Sequence, residues 1–268
     1  MTKTEPKTDR VFIIGRQRSG TTVFRELLKN EGAYDCDEIF HGDISRPNRF
    51  YAYLKERMEQ EPGVIHPQTH VRVFKDYLDD LRAKADGAPL ALDVKYFGLN
   101  LIPTREDVDG RSPFLFRFMN WSNAKVVHIV RKNKLRILVS EELSKASGLW
   151  SVSNKDQLIK DKQRISLDPK QVLDFIAKQD RQVARVGQQL GKISGIETLQ
   201  YEEMFEEDGT FSAETQAVAC RCLGKSEVDP TPRNLKMNPE KISELVENFD
   251  EIEAALKDTP HAWMLHAD

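Results

Sequence analysis

Residues 15–22 of the chain read Gly15-Arg16-Gln17-Arg18-Ser19-Gly20-Thr21-Thr22. The apolar residues 11–14 precede this stretch and predict a buried strand, and Val23, Leu27 and Leu28 follow it at helical spacing. The stretch therefore connects a strand to the first turn of a helix, where free backbone N–H groups and the helix dipole attract anions. The sequence predicts a phosphate-binding loop here.

The loop departs from the nucleoside-triphosphatase pattern at one position. Gly15 and Gly20 have the spacing of G-x-x-x-x-G-K-[ST], but Thr21 stands where that pattern has its lysine, and Arg18 brings a positive charge earlier. We expect the loop to hold a phosphate other than the β/γ end of a magnesium-bound triphosphate. The alternative is a tight structural turn in which the glycines only relieve steric strain.

Composition describes an ordinary globular protein and excludes several classes. The 268 residues are 39% hydrophobic and 31% charged, and the net charge of −3 argues against a general binder of nucleic acid or anionic membranes. No apolar run is long enough to span a bilayer, and the polar N-terminus has no signal-peptide core. The three cysteines cannot form a closed disulfide framework, which favours a reducing cytoplasm.

Apolar patterning predicts an α/β fold with a P-loop-like parallel β-sheet and helices on both faces. The predicted strands cover residues 11–14, 90–96, 125–130 and 195–200, and the predicted helices cover residues 21–30, 50–59, 71–85, 134–147, 170–191, 212–223 and 240–257. Asp168 and Asn238 are candidate helix N-caps, and residues 151–165 are predicted to form a loop or lid. We expect a flexible N-terminus over residues 1–10 and a single domain over residues 11–268.

A second strand-to-helix junction also carries positive charge. Residues 125–130 form the predicted strand, Arg131 follows it, and the next helix carries Arg136 and Ser140 in its first turns. Arg131 and the Ser140 hydroxyl can clamp a second phosphate at the same edge of the sheet. A helix cap with a surface ion pair is the alternative.

The two junctions together resemble the paired motifs of sulfotransferases that use 3′-phosphoadenosine 5′-phosphosulfate (PAPS). The order of further segments resembles the bacterial carbohydrate sulfotransferases that modify trehalose, nodulation factors and lipopolysaccharide. Those segments are Asp37-Glu38-Ile39-Phe40-His41, Val94-Lys95-Tyr96, Ser140 with Gly148-Leu149-Trp150, Tyr201-Glu202 and Lys236-Met237-Asn238-Pro239. The resemblance runs from about residue 10 to the end of the chain.

The resemblance implies the donor site. Positions 18–22 (Arg18, Ser19, Gly20, Thr21 and Thr22) would bind the 5′-phosphosulfate, and Arg131 with Ser140 would bind the 3′-phosphate. These two residues are nine positions apart, whereas many cytosolic relatives use eight, so Lys132 stays an alternative to Arg131. Further candidates for donor contacts are Arg16, Gln17, Tyr201, Arg233 and Lys236.

The implied chemistry is the transfer of a sulfuryl group without a required metal. Fixed cations and backbone dipoles can stabilise the departing phosphate, and the acceptor hydroxyl needs a base. Glu38 is the candidate base, because it follows the first helix closely and matches a carboxylate of the relatives; a surface acid is the alternative reading. His41 is a second candidate, and Lys95 at a strand end is placed to reach the phosphosulfate.

Other features have weaker interpretations. His66 and His70 have the spacing of a helical metal pair, but Pro67 disfavours it. Trp150, Trp121 and Phe116 can stack on sugars or pack in the core.

The sequence therefore predicts a PAPS-dependent sulfotransferase with a carbohydrate or glycolipid acceptor, no nucleic-acid partner and no stable membrane insertion. A hydroxylated natural product is an alternative acceptor. A nucleotide kinase and a non-catalytic nucleotide-binding module are the alternative functions, and the oligomeric state is not readable from the sequence.

Overall fold

The computed structural model describes residues 9–104, 112–148, 164–233 and 238–267. Within these ranges one parallel sheet has the strand order β2-β3-β1-β4-β5. The strands are β1 (Arg10–Gly15), β2 (Tyr34–Glu38), β3 (Leu90–Lys95), β4 (Lys125–Val130) and β5 (Ile196–Gln200). The helices are α1 (Thr21–Asn30), α2 (Phe50–Gln60), α3 (His70–Ala85), α4 (Phe114–Trp121), α5 (Lys134–Ser147), α6 (Pro169–Leu190), α7 (Ala213–Leu223), α8 (Ile242–Leu245) and α9 (Phe249–Leu256).

Helices cover both faces of the sheet, which confirms the predicted fold class. β1 is buried along its whole length, and its side chains alternate between the two faces. Phe12 and Ile14 pack in the core with α3 and α4, whereas Val11 and Ile13 pack in the core with α1 and α7. A third apolar cluster joins α5, α6, α8 and α9 beside the sheet.

Several elements differ from the sequence-based prediction. β2 and α4 were not predicted, and the helix expected over residues 240–257 is divided into α8 and α9. The division occurs at Val246, which is extended and forms an isolated bridge with Ile165. Lys241 rather than Asn238 precedes α8, whereas Asp168 caps α6 as expected, accepting from the backbone N–H of Lys170. Arg10 belongs to β1, whereas most of the expected flexible N-terminus and most of the predicted lid lie outside the described residues.

The strand order places a crevice at the carboxyl ends of β1 and β4. The chain leaves β1 towards β2 on one side of the sheet, and it leaves β4 towards β5 on the other. Loops that diverge from adjacent parallel strands open a crevice in which α/β proteins bind ligands. The loop after β1 and the junction after β4 are the two stretches that the sequence marks as anion-binding.

Candidate functional site

The loop between β1 and α1 is tightly folded around its two glycines. Gly20 has a φ of 93° and Arg18 has a φ of 65°, both in the left-handed region. A Cβ atom on Gly20 would lie 2.5 Å from the ring of Tyr201, and one on Gly15 would lie 2.5 Å from the Thr21 side chain. The Ser19 hydroxyl donates to the carbonyl of Arg16 at 2.7 Å and closes the turn. Close approach therefore requires glycine at both positions, and at Gly20 the left-handed backbone conformation requires it as well.

The N-termini of α1 and α5 are built differently. At α5, Asn133 accepts from the backbone N–H of Arg136 at 2.9 Å, and the Glu202 carboxylate accepts from the N–H groups of Lys132 and Asn133 at 3.0 and 2.8 Å. At α1, the N-cap is Gly20, which has no side chain, and the first turn contains no acidic residue. Since a helix N-terminus attracts negative charge, α5 is satisfied by the protein while α1 presents its donors to the crevice.

Two arginines and a serine join the loop to α5. Arg18 donates from Nε to the Ser140 hydroxyl at 2.8 Å, although the two residues are 122 positions apart. Arg131 donates to the carbonyl of Arg18 at 3.2 Å, and its guanidinium stacks 4.3 Å from the centre of the Tyr201 ring. Burial and the nearby charge of Arg131 lower the pKa of Arg18. The structure thus brings together Arg18, Arg131, Ser140 and Tyr201, four of the candidate residues named from the sequence.

Arg16 points its side chain away from this cluster. Its guanidinium forms a two-pronged ion pair with Glu141 at 2.9 and 3.1 Å, and its Nε donates to Gln179 at 2.6 Å. It also lies over the ring of Phe175 at 4.9 Å. The guanidinium of Arg16 therefore anchors α5 and α6 to the loop.

Gln17 and Thr22 are half-buried.

Lys95 ends β3 next to the first residue of α1. Its Nζ donates to the Thr21 hydroxyl and to both oxygens of Asp93, at 2.9 and 2.8 Å. Lys95 is 4% exposed and Asp93 is fully buried. The Glu38 carboxylate lies 4.0 Å from the same Nζ atom. These contacts place a cation and a carboxylate beside the loop.

Glu38 has the surroundings of a buried acid. Its side chain is 14% exposed, and its Oε1 atom is buried without a hydrogen-bond partner. Burial raises the pKa of Glu38; Lys95 opposes this rise, and Asp93 and Asp37 add to it. Glu38 is therefore not the surface acid of the alternative reading, and it can take up a proton more readily than an exposed glutamate.

His41 lies in the exposed loop that follows β2. The residue is exposed, and its Nδ1 accepts from Arg49 at 2.8 Å and from the backbone N–H of Asp43 at 3.0 Å. Burial and Arg49 lower its pKa. Since Arg49 also binds Asp37 at 2.8 Å, His41 belongs to a network that fixes the loop after β2.

The basic candidates Arg131, Lys132 and Arg233 differ in how far they are exposed. Lys132 is half-exposed and its Nζ lies 3.7 Å from Glu203, whereas Arg131 is 8% exposed and faces the loop. The geometry thus favours Arg131 over Lys132 as the residue facing the crevice. Arg233 is exposed, and Lys236 lies outside the described residues.

Two features with weaker interpretations, the His66/His70 pair and the aromatic residues Phe116 and Trp121, are not part of this site in the described residues. His66 uses its Nδ1 to cap a short 3₁₀ turn, and the described residues contain no group of three or more His, Cys, Asp or Glu placed to hold a metal ion. Phe116 is buried in the core, and Trp121 lies just before β4, at the opposite edge of the sheet. Trp150 lies outside the described residues.

Sequence reasoning missed three charged residues that hold the site together, namely Arg25, Asp93 and Glu141, and it assigned no role to Glu202. The signal for Asp93 was present, because a carboxylate inside the apolar strand Leu90–Lys95 is buried and needs a partner. Arg25 on α1 supplies that partner at 3.3 Å and also pairs with Asp35 and Asp37. Spacing along the chain gives no indication of these long-range pairs.

Comparison with known proteins gives neighbours at the level of the fold. No family model and no curated protein matches the sequence. Among solved structures, the sulfotransferase of Alicyclobacillus acidocaldarius is 15% identical, with a TM-score of 0.44 over 97% of this chain and 99% of that chain. The sulfotransferase domain of the Synechococcus PCC 7002 olefin synthase is 14% identical, with a TM-score of 0.39 over 92% of this chain and 84% of that chain.

Dephospho-CoA kinase from Campylobacter jejuni is 11% identical, with a TM-score of 0.34 over 81% of this chain and 96% of that chain. All three TM-scores are below 0.5. Within the described ranges, none of the helices has the length and apolar character needed to cross a membrane.

Proposed function

We propose that this chain is a PAPS-dependent sulfotransferase that modifies a hydroxyl group of a carbohydrate or glycolipid. The observation that carries the proposal is the hydrogen bond between Arg18 and Ser140, which joins the loop after β1 to α5. Arg131 also donates to the backbone of Arg18, close to the start of α1, and these contacts support a crevice that two anion-binding elements share. A nucleotide with phosphates at both the 5′ and 3′ positions matches two such elements.

The residues of the crevice fit this nucleotide. The absence of a Cβ at Gly15 and Gly20 lets the backbone fold closely around an anion, and the donors there are cationic or backbone N–H groups. Positions 19–22 and Arg18 would hold the 5′-phosphosulfate, and Arg131 with Ser140 would hold the 3′-phosphate. Tyr201, stacked on Arg131, would support that side of the site.

The chain supplies the groups that sulfuryl transfer needs. When bound, PAPS provides the sulfuryl group and the 5′-phosphate leaving group. Lys95 and the N–H groups at the start of α1 would stabilise negative charge on the leaving phosphate. Glu38 would accept the proton of the acceptor hydroxyl, since one of its carboxylate oxygens is buried without a partner and the other lies 4.0 Å from Lys95.

Ligand binding tests the donor assignment. The purified protein is expected to bind adenosine 3′,5′-bisphosphate at least about tenfold more tightly than AMP, because a charged clamp on the second phosphate adds about 1.5 kcal/mol or more. Equal affinities measured by calorimetry would refute a 3′-phosphate site. Magnesium-dependent ATP turnover would instead identify a nucleotide kinase.

A transfer assay tests the reaction and the acceptor class. Labelled sulfate from PAPS is expected to enter a component of a cell extract that mass spectrometry identifies as a carbohydrate or glycolipid. A labelled natural product would support sulfuryl transfer but would assign a different class of acceptor. Tight nucleotide binding without transfer would favour a non-catalytic binding module.

A further inference from the structure

Asp93 is a buried carboxylate at the centre of β3 with two cationic partners. It accepts from Lys95 with both oxygens, and Arg25 donates to it at 3.3 Å. A fully buried carboxylate is costly unless it is paired, so these contacts are required for the strand to tolerate it. An apolar residue would fill this strand position without that cost.

Arg25 is itself fixed from three directions. Besides Asp93, its guanidinium pairs with Asp35 at 3.0 Å and with Asp37 at 3.2 Å, both on β2. Arg25 is 7% exposed and belongs to α1, which begins at the phosphate-binding loop. Asp93 is thus held rigidly between α1 and β2 and offers Lys95 a fixed anchor.

The anchored ammonium lies at a position that the sequence marks as unusual. Lys95 Nζ contacts the hydroxyl of Thr21, the residue that stands where a triphosphatase loop has its lysine. The positive charge that the loop lacks at position 21 is therefore present in space, supplied by β3. A lysine side chain normally samples many rotamers, and the two hydrogen bonds to Asp93 oppose this freedom.

We propose that Asp93 is a positioning residue that holds the Lys95 ammonium against Thr21, so that Lys95 takes the place of the lysine missing from the loop. This inference rests on the proposed function for the identity of the ligand, a nucleotide 5′-phosphate. It assigns Asp93 no contact with that ligand. Asp93 acts through Lys95 alone.

Positioning and simple electrostatics predict opposite results for Asp93→Asn. Removing a negative charge near a phosphate site should tighten phosphate binding if only long-range attraction matters. Positioning predicts weaker binding, because Lys95 loses one charged acceptor and its fixed orientation. We expect Asp93→Asn to weaken AMP binding about tenfold, the size of one lost charge-assisted hydrogen bond.

The experiment measures AMP and adenosine 3′-monophosphate binding by calorimetry for Asp93→Asn, Lys95→Met and the double variant. The loss is expected for AMP alone, and the double variant is expected to bind AMP no more weakly than Lys95→Met. The matched control is Asp35→Asn, which removes a carboxylate from the same arginine without touching Lys95; its AMP affinity is expected to stay within twofold of the parent. Unchanged or tighter AMP binding by Asp93→Asn, or additive losses in the double variant, would overturn the proposal.

A measurement on the unsubstituted protein tests the proposal without depending on whether the variants fold. In ¹⁵N-lysine-labelled protein without nucleotide, the ammonium protons of Lys95 are expected to exchange with water more slowly than those of Lys29, which is 48% exposed. Equal exchange rates would also overturn the proposal. If Lys95 exchanges slowly and AMP does not bind, the positioning stands and the proposed function fails.

Discussion

Glu38 combines burial with an unpartnered oxygen, and this combination defines its expected role. A glutamine at this position keeps the shape but cannot accept a proton. We expect Glu38→Gln to lower the rate of sulfuryl transfer about 10²- to 10⁴-fold, the usual contribution of a general base, and to leave nucleotide binding unchanged. Steady-state kinetics and calorimetry measure the two effects. The matched control is Glu31→Gln, because the Glu31 carboxylate pairs with Lys225 outside the crevice. Equal activity of the two variants would rule out Glu38 as the base.

The pH dependence of the same reaction follows from the raised pKa of Glu38. A base works only when deprotonated, so kcat/KM is expected to fall as the pH is lowered through this pKa. Because burial raises the pKa, the fall should begin at a higher pH than for an exposed glutamate. In single-turnover assays of Glu38→Gln, this fall in rate at low pH is expected to be absent.

Arg131 and Lys132 are adjacent in sequence but differ in environment. Arg131 is buried against Tyr201 and the loop, while Lys132 extends towards Glu203. We expect Arg131→Ala to weaken binding of adenosine 3′,5′-bisphosphate by about 10- to 100-fold, because a charge-assisted contact is lost. Lys132→Ala serves as the control and should change the affinity less than threefold. A larger loss in Lys132→Ala would assign the 3′-phosphate to that residue.

At the scale of elements, the sequence was most informative where local signals agree. α1, β4 and α5 were predicted with the observed bounds, because apolar periodicity and turn residues delimit each of them. β2 was not predicted, because its acidic residues read as a solvated loop. They are tolerated in a strand only because Arg25 and Arg49 meet Asp35 and Asp37 from other elements. Such pairs depend on the tertiary fold.

The same distinction applies to the candidate site. The loop and Arg131 could be recognised because anion binding at a helix N-terminus has a local sequence signature. Asp93 and Glu141 could not be assigned partners, since each pairs with a residue that only the completed fold brings near. Sequence reasoning therefore identified groups that face the crevice better than groups that support them.

The N-terminus of α5 depends on one fully buried side chain. Asn133 accepts from the backbone N–H of Arg136, and its amide donates to the carbonyls of Met264 and Ala267 at 2.9 Å each. We expect Asn133→Ala to lower the free energy of unfolding by about 2–4 kcal/mol, since a cap is lost and buried carbonyls are left unpaired.

Denaturant unfolding measures this loss, and Asp168→Ala provides the comparison. Asp168 also caps a helix, but it is exposed and makes no such contacts to the C-terminal segment, so about 1 kcal/mol is expected. Equal losses in the two variants would mean that the contacts of Asn133 with residues 264 and 267 add nothing to stability.

For the whole molecule, a buried histidine makes stability depend on pH. His128 in β4 bonds to the hydroxyl of Tyr96 at 2.8 Å, and burial lowers its pKa from 6.5 to about 4. The unfolded chain therefore binds a proton that the folded protein excludes between these values, so the free energy of unfolding falls as the pH is lowered through this window. The stability that comes from keeping His128 neutral is fully present above pH 6.5, and its loss at lower pH is on the order of 3 kcal/mol of unfolding free energy.

His128→Gln tests this source of acid sensitivity, because glutamine retains a hydrogen-bonding group and does not titrate. The variant is expected to lose stability less steeply than the parent between pH 6.5 and pH 4 in denaturant titrations. Parallel curves for the two proteins would assign the acid sensitivity to other groups. Carboxylates such as Asp37 lose their pairing only at lower pH. Burial alone would raise the pKa of Asp37, but Arg25 and Arg49 lower it to about 2.

The bulge in β2 also affects how the molecule behaves among its own copies. The register with β3 shifts between Asp35 and Glu38, and Asp37 within this shift has a φ of 60°. β2 ends the sheet, and a flat, uncharged edge strand would offer its backbone to the edge of another chain. A bent strand with closely spaced carboxylates resists such pairing. We therefore expect the bulge in β2 to protect the protein against edge-to-edge aggregation.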